Sequence, residues 1–281
     1  MSNGNGSAER LTNLQVRIVS SVFLIVAVLG LTWLGGTAFA LLAAAISAAI
    51  FYEWTGMSRG EGGAGHRVTA AVLLGFVLAL LLLGVEARLV FGAAAVAALL
   101  CALDARWRAQ GLGTTAGLIY AALSGVSLAL LRDSDDQGLA AILFLFATVW
   151  ATDIMAYFVG RTVGGPKLAP AISPGKTWSG AIGGAVGGVL AGVATAAVTG
   201  YASLVVAACV ALSLSAVSQL GDLFESWIKR RHGVKDSSRL IPGHGGVMDR
   251  VDGLVAAAFM LYLIGALLGG VGRPAHGIFP L

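Results

Sequence analysis

Charge is what this chain has least of. Its 18 Lys and Arg and 14 Asp and Glu amount to 11% of 281 residues, where a soluble domain carries roughly 25%. A globule with so few charged groups cannot cover its own surface. That excludes a cytosolic enzyme and a disordered protein, and it excludes a nucleic-acid binder despite a pI of 9.3. Cysteine is nearly absent as well. Cys101 and Cys209 both sit in apolar runs, which rules out a disulfide scaffold and a paired-cysteine metal site; both read as small buried residues. There is no GxxxxGK[ST] phosphate loop and no HExxH zinc helix. The apolar runs are continuous rather than alternating, so a β-barrel is excluded. No cleavable signal peptide is apparent. The opening MSNGNGSAER is polar, and the apolar stretch after it lacks a small-residue exit, so it reads as a retained helix.

What is present is apolar residue, 57% of the chain, together with 40 glycines. A membrane-spanning helix needs about 20 mostly apolar residues. Nine stretches approach this, near 15–34, 37–55, 68–84, 88–103, 114–131, 138–160, 178–198, 201–220 and 252–271. The expected fold is therefore an all-α polytopic membrane protein with about nine transmembrane helices. With the N-terminus placed in the cytoplasm, only Arg88, Arg132 and Arg273 of the 18 basic residues fall outside. That asymmetry argues for an N-inside, C-outside topology, with the basic excess facing an anionic leaflet. The chain divides into a polar tail (1–14), scaffold helices (15–135) and a C-terminal catalytic region (136–281). The last holds two cytoplasmic loops, 161–177 and 221–251.

The densest chemistry runs from Gln219 to Gly253. Asp222 and Ser226 are one helical turn apart and share a face, which Lys229 and Arg230 continue until Gly233 breaks the helix. A glycine turn holding His244, Gly245 and Gly246 follows, then Asp249, Arg250 and Asp252. Carboxylates are hard ligands for magnesium, which one or two of them hold together with substrate phosphates. Lys and Arg pair with phosphate oxygens, and glycines let backbone amides approach an anion. The mixture is the grammar of a magnesium–polyphosphate site. A loop basic only for topology would not need the acids, the histidine and the glycines.

A second cluster ends the sixth span. Asp153, Tyr157 and Gly160 lie on one stripe, with Arg161 next to it. Asp153 sits about 10 Å inside the cytoplasmic end by helix rise and needs a partner or a water-filled cavity; a structural Asp–Arg pair is the alternative. A third cluster, Ser173-Pro174-Gly175-Lys176-Thr177-Trp178, reads as a Pro-Gly turn. It presents Lys176 to a phosphate, with Trp178 as an interface anchor. Gly180, Gly184, Gly188 and Gly192 form a period-four stripe for close helix approach, either within one subunit or at a dimer seam. His66 and His276 read as solvent or interface residues.

The run from Ser226 through Lys229, Arg230, Lys235 and Asp236, then Pro242-x-His244-Gly245-Gly246-x-x-Asp249-Arg250-x-Asp252, resembles the signature of the phosphatidate cytidylyltransferases, or CDP-diacylglycerol synthases. The Asp153–Arg161 and Ser173–Trp178 segments resemble that family too, although Ser179 stands where many members carry an acid or Gln. The first 140 residues match only in being helical and apolar. The resemblance implies a polytopic inner-membrane enzyme, usually a homodimer, with its site on the cytoplasmic face. It would join CTP and phosphatidate to give CDP-diacylglycerol and pyrophosphate, using Mg2+ and in some members a second cation such as K+. It implies Asp222 and Asp249 at the metal. Lys229, Arg230, Lys235 and Arg250 would bind the triphosphate or the lipid head group. Ser226 and His244 would orient phosphate oxygens, and Asp236 and Asp252 would orient the bases or hold the second cation. Asp153, Tyr157, Arg161, Ser173, Lys176, Gly245 and Gly246 would line the substrate.

Three rivals fare worse. A CDP-alcohol phosphotransferase needs D-G-x-x-A-R, and Asp252-Gly253 is followed by LVAAAF. A CTP-dependent lipid kinase has a different signature. A secondary transporter places substrate groups near the bilayer midplane, whereas the ionisable groups here gather at one face.

Overall fold

The computed structural model describes residues 13–58, 63–200 and 203–279, with side chains from residue 18 onward. Residues 1–12 of the polar tail, and with them Arg10, lie outside the described residues, as do Arg59 and the Arg17 side chain. Each apolar stretch coincides with a helix: α1 Asn13–Leu34, α2 Gly36–Met57, α3 Ala64–Leu82, α4 Ala87–Trp107, α5 Gly113–Arg132, α6 Asp136–Val163, α7 Trp178–Val198, α8 Leu204–Arg231 and α9 Met248–Gly269. A short α10, Pro274–Ile278, follows. Eight of these, α2 to α9, are long and apolar enough to cross a membrane, whereas the described apolar part of α1, Ile18–Leu34, is shorter. The protein is thus a multi-pass membrane protein. Large apolar side chains stay on its outside, among them Phe76, Leu99, Ile182 and Leu267, because lipid rather than water meets them.

The 161–177 loop carries the two strands found among the described residues, and a single antiparallel bridge joins Ile241 to Gly245. Strand β1 (Lys167–Ala169) pairs antiparallel with β2 (Ser173–Thr177). The turn falls between the strands, so Pro174 and Gly175 lie inside β2 rather than at the expected turn. The register slips between the two paired positions, and an irregular two-stranded ribbon is where proline costs no ladder bond. The Thr177 hydroxyl accepts the Gly180 amide at 3.1 Å and caps α7, while the Ser179 hydroxyl donates to the Gly164 carbonyl and closes the hairpin's base.

The glycine stripe of α7 is consumed within the subunit. A Cβ on Gly184 would stand 2.8 Å from the Thr152 carbonyl oxygen of α6, one on Gly188 would overlap the Thr152 hydroxyl, and one on Gly192 would come within 2.7 Å of the Ala211 Cβ of α8. α7 therefore seats between α6 and α8 at backbone distance. Two other expectations are corrected. His66 is buried, not at a surface; its Nδ1 meets the Asp104 carboxylate at 2.7 Å because the start of α3 packs on the end of α4. Cys209 is exposed on the outer face of α8, whereas Cys101 is buried, since a small residue on a lipid-facing stripe has nothing packed over it.

The end opposite the acidic clusters has its own polar lock. Arg132 is buried and donates to the carbonyls of Thr32 at 2.5 Å, Trp33 at 3.1 Å and Asp135 at 3.0 Å. It thereby caps the carbonyl end of α1. Asp135 caps α6 through the Gly138 amide at 2.8 Å and meets His276 Nε2 of α10 at 2.5 Å. His276 is thus bound rather than simply solvated.

Two outcomes follow. Gly188→Ala destabilises by about 1–3 kcal/mol through overpacking, whereas Gly75→Ala, with no atom within 4 Å of the added methyl, is neutral or slightly stabilising because alanine favours the helix. Thermal unfolding in detergent reads both. Burial alone would raise the Asp135 carboxyl, but the Gly138 amide and His276 outweigh it and hold it below its ordinary value. A carboxyl lowered on folding stabilises above its ordinary pKa and loses that contribution as pH falls through the lowered one. The melting-temperature gap between wild type and Asp135→Asn is therefore full near neutral pH and narrows only once the pH drops below the ordinary value of 3.8.

Candidate active site

Helix α8 extends from the apolar span through Arg231 before His232 and Gly233 (φ 69°) end it. Its last three turns carry the chemistry as one helical face. Asp222 forms an ion pair with Lys176 of β2 and accepts the Ser226 hydroxyl at 3.4 Å. Three residues on, Glu225 is fully buried. Lys229, one turn further, stands 3.2 Å from Glu225 and 2.7 Å from Asp249 Oδ1 at the start of α9. Neither Glu225 oxygen accepts a hydrogen bond among the described residues. Asp252, one turn into α9, faces Glu225 and Asp222, and the Asp153 charge feels both Asp222 and Asp252. The result is a string of carboxylates across α6, α8 and α9, in which Lys176 pairs with Asp222 and Lys229 stands between Glu225 and Asp249. Negative charge exceeds positive within it, and buried carboxylates without matching cations are costly. Something cationic fits here.

Beside this string lies a cavity of about 730 Å³. Its walls include Asp153, Tyr157, Arg161, Lys167, Lys176 and Asp222. The second and third sequence clusters thus meet the first in one space of the size that small-molecule sites have. Asp153 is exposed through it, which answers its depth in the span with a cavity rather than an Asp–Arg pair. Arg161 instead donates to the Tyr157 hydroxyl at 2.9 Å. Ser173 sits half-buried on β2.

The 232–247 loop is organised from inside. The Asp249 carboxylate accepts from Lys229 Nζ (2.7 Å), the Ser237 amide (3.0 Å) and hydroxyl (2.9 Å), and the Gly246 amide (2.8 Å). The glycine amide aimed at an anion thus finds the chain's own carboxylate. Gly245 has φ 85°, and a Cβ there would meet Asp249 at 2.9 Å. Several predicted residues sit apart from the cavity. Arg230 donates to the carbonyls of Ile172 and Val234, linking α8 to the hairpin and the loop. Lys235, Asp236 and Arg250 are exposed. His244 turns its ring to the hydroxyls of Ser20 (3.0 Å) and Ser21 (2.9 Å) on α1, so its contacts are to a helix rather than to the cavity.

A sequence model of the cytidylyltransferase family matches residues 15–268. The chain is 49% identical over 278 residues to a phosphatidate cytidylyltransferase of Brucella melitensis, covering 96% of this chain and 99% of that one. The chain belongs to the cytidylyltransferase family. It is an enzyme, a nucleotidyltransferase. More distant family members align over part of the length. That of Haemophilus influenzae is 44% identical over 126 residues, 43% of this chain and 44% of that one, and that of Staphylococcus saprophyticus is 40% identical over 152 residues, 54% and 57% respectively.

Sequence reasoning passed over two acids that the family's fold brings to this site. Glu225 is three residues from Asp222 and four from Lys229, and that spacing alone places it on their face. Glu53 lies in α2, inside the stretch read as scaffold. It is 1% exposed and reaches the 237–248 segment. An ionisable residue inside an apolar span was its signal.

Lys229→Met leaves Glu225 and Asp249 as buried carboxylates without their shared cation. It destabilises by about 3–5 kcal/mol; Lys229→Met with Glu225→Gln recovers part of that loss. Thermal unfolding of the two variants in detergent distinguishes charge from lost packing, since packing loss would leave the double variant no better.

Proposed function

We propose that the chain is a phosphatidate cytidylyltransferase, forming CDP-diacylglycerol and pyrophosphate from CTP and phosphatidate. The observation that carries the reading is the cavity where Lys176 pairs with Asp222 under a rim holding Lys167 and Arg161. It offers fixed cations for a triphosphate beside a surplus of carboxylates. The relative from Brucella melitensis, which this chain matches along nearly all its length, is a phosphatidate cytidylyltransferase.

A phosphate oxygen of phosphatidate attacks the α-phosphorus of CTP. The new P–O bond forms as the bond to the β-phosphate oxygen breaks, and that electron pair leaves with pyrophosphate. The nucleophile is already an anion, so no strong base is required. What the protein supplies is placement and charge neutralisation. Lys176, Lys167 and Arg161 hold the phosphates, and Asp222 aims the Lys176 ammonium. Ser226 steadies Asp222. Asp153 and Tyr157 shape the wall.

The carboxylate donors suit Mg2+, which takes one or two carboxylates and completes its shell with phosphate oxygens and water. Among the described residues, no group of three or more Asp, Glu, His or Cys forms an all-protein cage. Asp222 would hold the ion, with Asp252 and Glu225, the latter ion-paired to Lys229, alongside. Asp249, assigned to the metal by the family resemblance, would join it by exchanging one of its four donors. Bound there, the ion supplies neutralisation of charge on the phosphate oxygens. K+ as a second cation would draw on Asp252, while Asp236 stays on the exposed side of the loop.

The site faces the cytoplasmic side of an inner membrane in this reading, supported by the Lys and Arg asymmetry. The diacyl tails stay in the bilayer. A homodimer, implied by the family resemblance, draws no support from the α7 stripe, which packs on α6 and α8.

Purified protein in detergent with phosphatidate and Mg2+ transfers label from α-labelled CTP into lipid and none from γ-labelled CTP. Asp222→Asn lowers kcat by roughly a hundredfold or more with an unchanged elution profile. Label entering lipid from the γ-position instead would identify a kinase and overturn the reading.

A further inference from the structure

Glu53 is the most fully bonded carboxylate outside the α8–α9 pair. Its Oε1 accepts the Ser238 hydroxyl at 2.6 Å and the Val247 amide at 2.8 Å; its Oε2 accepts the Met248 amide at 2.7 Å and the Ser237 hydroxyl at 3.1 Å. Two of these donors lie within the loop and two begin α9. Helix α9 has valine at its N-cap and no side-chain cap of its own. A carboxylate from α2, nearly 200 positions earlier, takes that place and satisfies orphan amides at the positive end of the helix.

The loop's closed shape follows from this one group. Gly246 passes so close that a Cβ would stand 2.6 and 2.7 Å from the Glu53 oxygens and overlap the Ser237 hydroxyl. Ser237 is the link to the charge string. Its hydroxyl lies 3.1 Å from Glu53 and 2.9 Å from Asp249. It has one proton for two carboxylates, so it donates to one of them at a time, and the steadier link between them runs through the backbone. The Ser237 and Gly246 amides, held in place by the same clamp, are the backbone donors to Asp249.

We propose that Glu53 is a positioning residue for the transfer reaction. From α2, inside the stretch read as scaffold, it sets where Asp249 stands and how many donors it keeps, and through Asp249 it sets Lys229. The role in turnover rests on the nucleotidyl-transfer reading above; the clamp itself does not. Glu53 touches no wall of the α6–α8 cavity among the described residues, so its loss acts on turnover and leaves nucleotide affinity alone.

The test is Glu53→Gln, Ser237→Ala and the double variant in detergent, read by steady-state kinetics and by hydrogen exchange of the amides at 246–248. Glutamine keeps the size but turns an NH2 group toward donors. The expected result is a monodisperse protein with kcat down roughly tenfold to a hundredfold, as for a misplacement of about 1 Å. KM for CTP stays within about twofold, and exchange at 246–248 is faster. The double variant loses no more than Glu53→Gln alone, because both act through one path. An unchanged kcat, a loss confined to KM, or multiplicative losses would each overturn the proposal. Should Glu53→Gln not fold, Ser237→Ala decides alone: lower kcat at constant KM supports it, and wild-type kcat sinks it. If wild-type protein labels no lipid, the functional reading fails, and exchange then judges the clamp: faster at 246–248 in Glu53→Gln upholds it, unchanged refutes it.

Discussion

Lys229 stands between two carboxylates, Glu225 one turn back on its own helix and Asp249 at the head of the next, and the order of the catalytic end hangs on that ammonium. An ion pair this buried contributes little net stability relative to an apolar substitute, yet removing either partner leaves an uncompensated charge. It therefore acts as a register mark. It sets the last turn of α8 against the first turn of α9 and draws the intervening loop over both. Asp249 completes its shell from that loop, and Glu53 fastens the loop to α2. Helices α8 and α9 and the sequence-distant α2 are thus locked through carboxylates as well as through apolar contact. In lipid this matters, because apolar contact between helices has no hydrophobic drive behind it.

The other half of the site depends on the absence of side chains. Glycines in α7 let it lie against α6 at backbone distance, and the Thr177 cap starts α7 where β2 ends. Asp153 and Lys176 come to the walls of one cavity because of that packing. A cytidylyltransferase has to bring an anionic nucleotide to an anionic lipid. In the proposed reading, a cavity with fixed cations beside a surplus of carboxylates meets that requirement through electrostatics.

Much of this was legible in the residues. The helices fell where apolar runs lay, and the spacing of Asp222, Ser226 and Lys229 put them on one face, where Asp222 and Ser226 do touch. The meeting of the Asp153 and Lys176 segments with Asp222 was suggested only by resemblance. Glu53 was passed over because no local pattern ties α2 to α9; its partners are backbone amides and serine hydroxyls, which carry no distinctive spacing. His244 shows the converse. Its glycine turn looked built for a phosphate, but its ring hydrogen-bonds to α1. Pro174-Gly175 looked like a turn and lies in a strand.

By itself, then, the chain determined that it crosses a membrane many times, how its Lys and Arg divide between alternate loops, and where its acids and bases are densest. Those properties are one-dimensional: transfer free energy accumulates along a helix, and charge excess is counted loop by loop. Tertiary structure alone decided which carboxylate meets which ammonium, which glycines face a neighbouring helix and which amides are spent on Asp249 and Glu53. Such pairings depend on distances of a few ångströms between segments far apart in sequence, and helix packing rather than local propensity sets those distances.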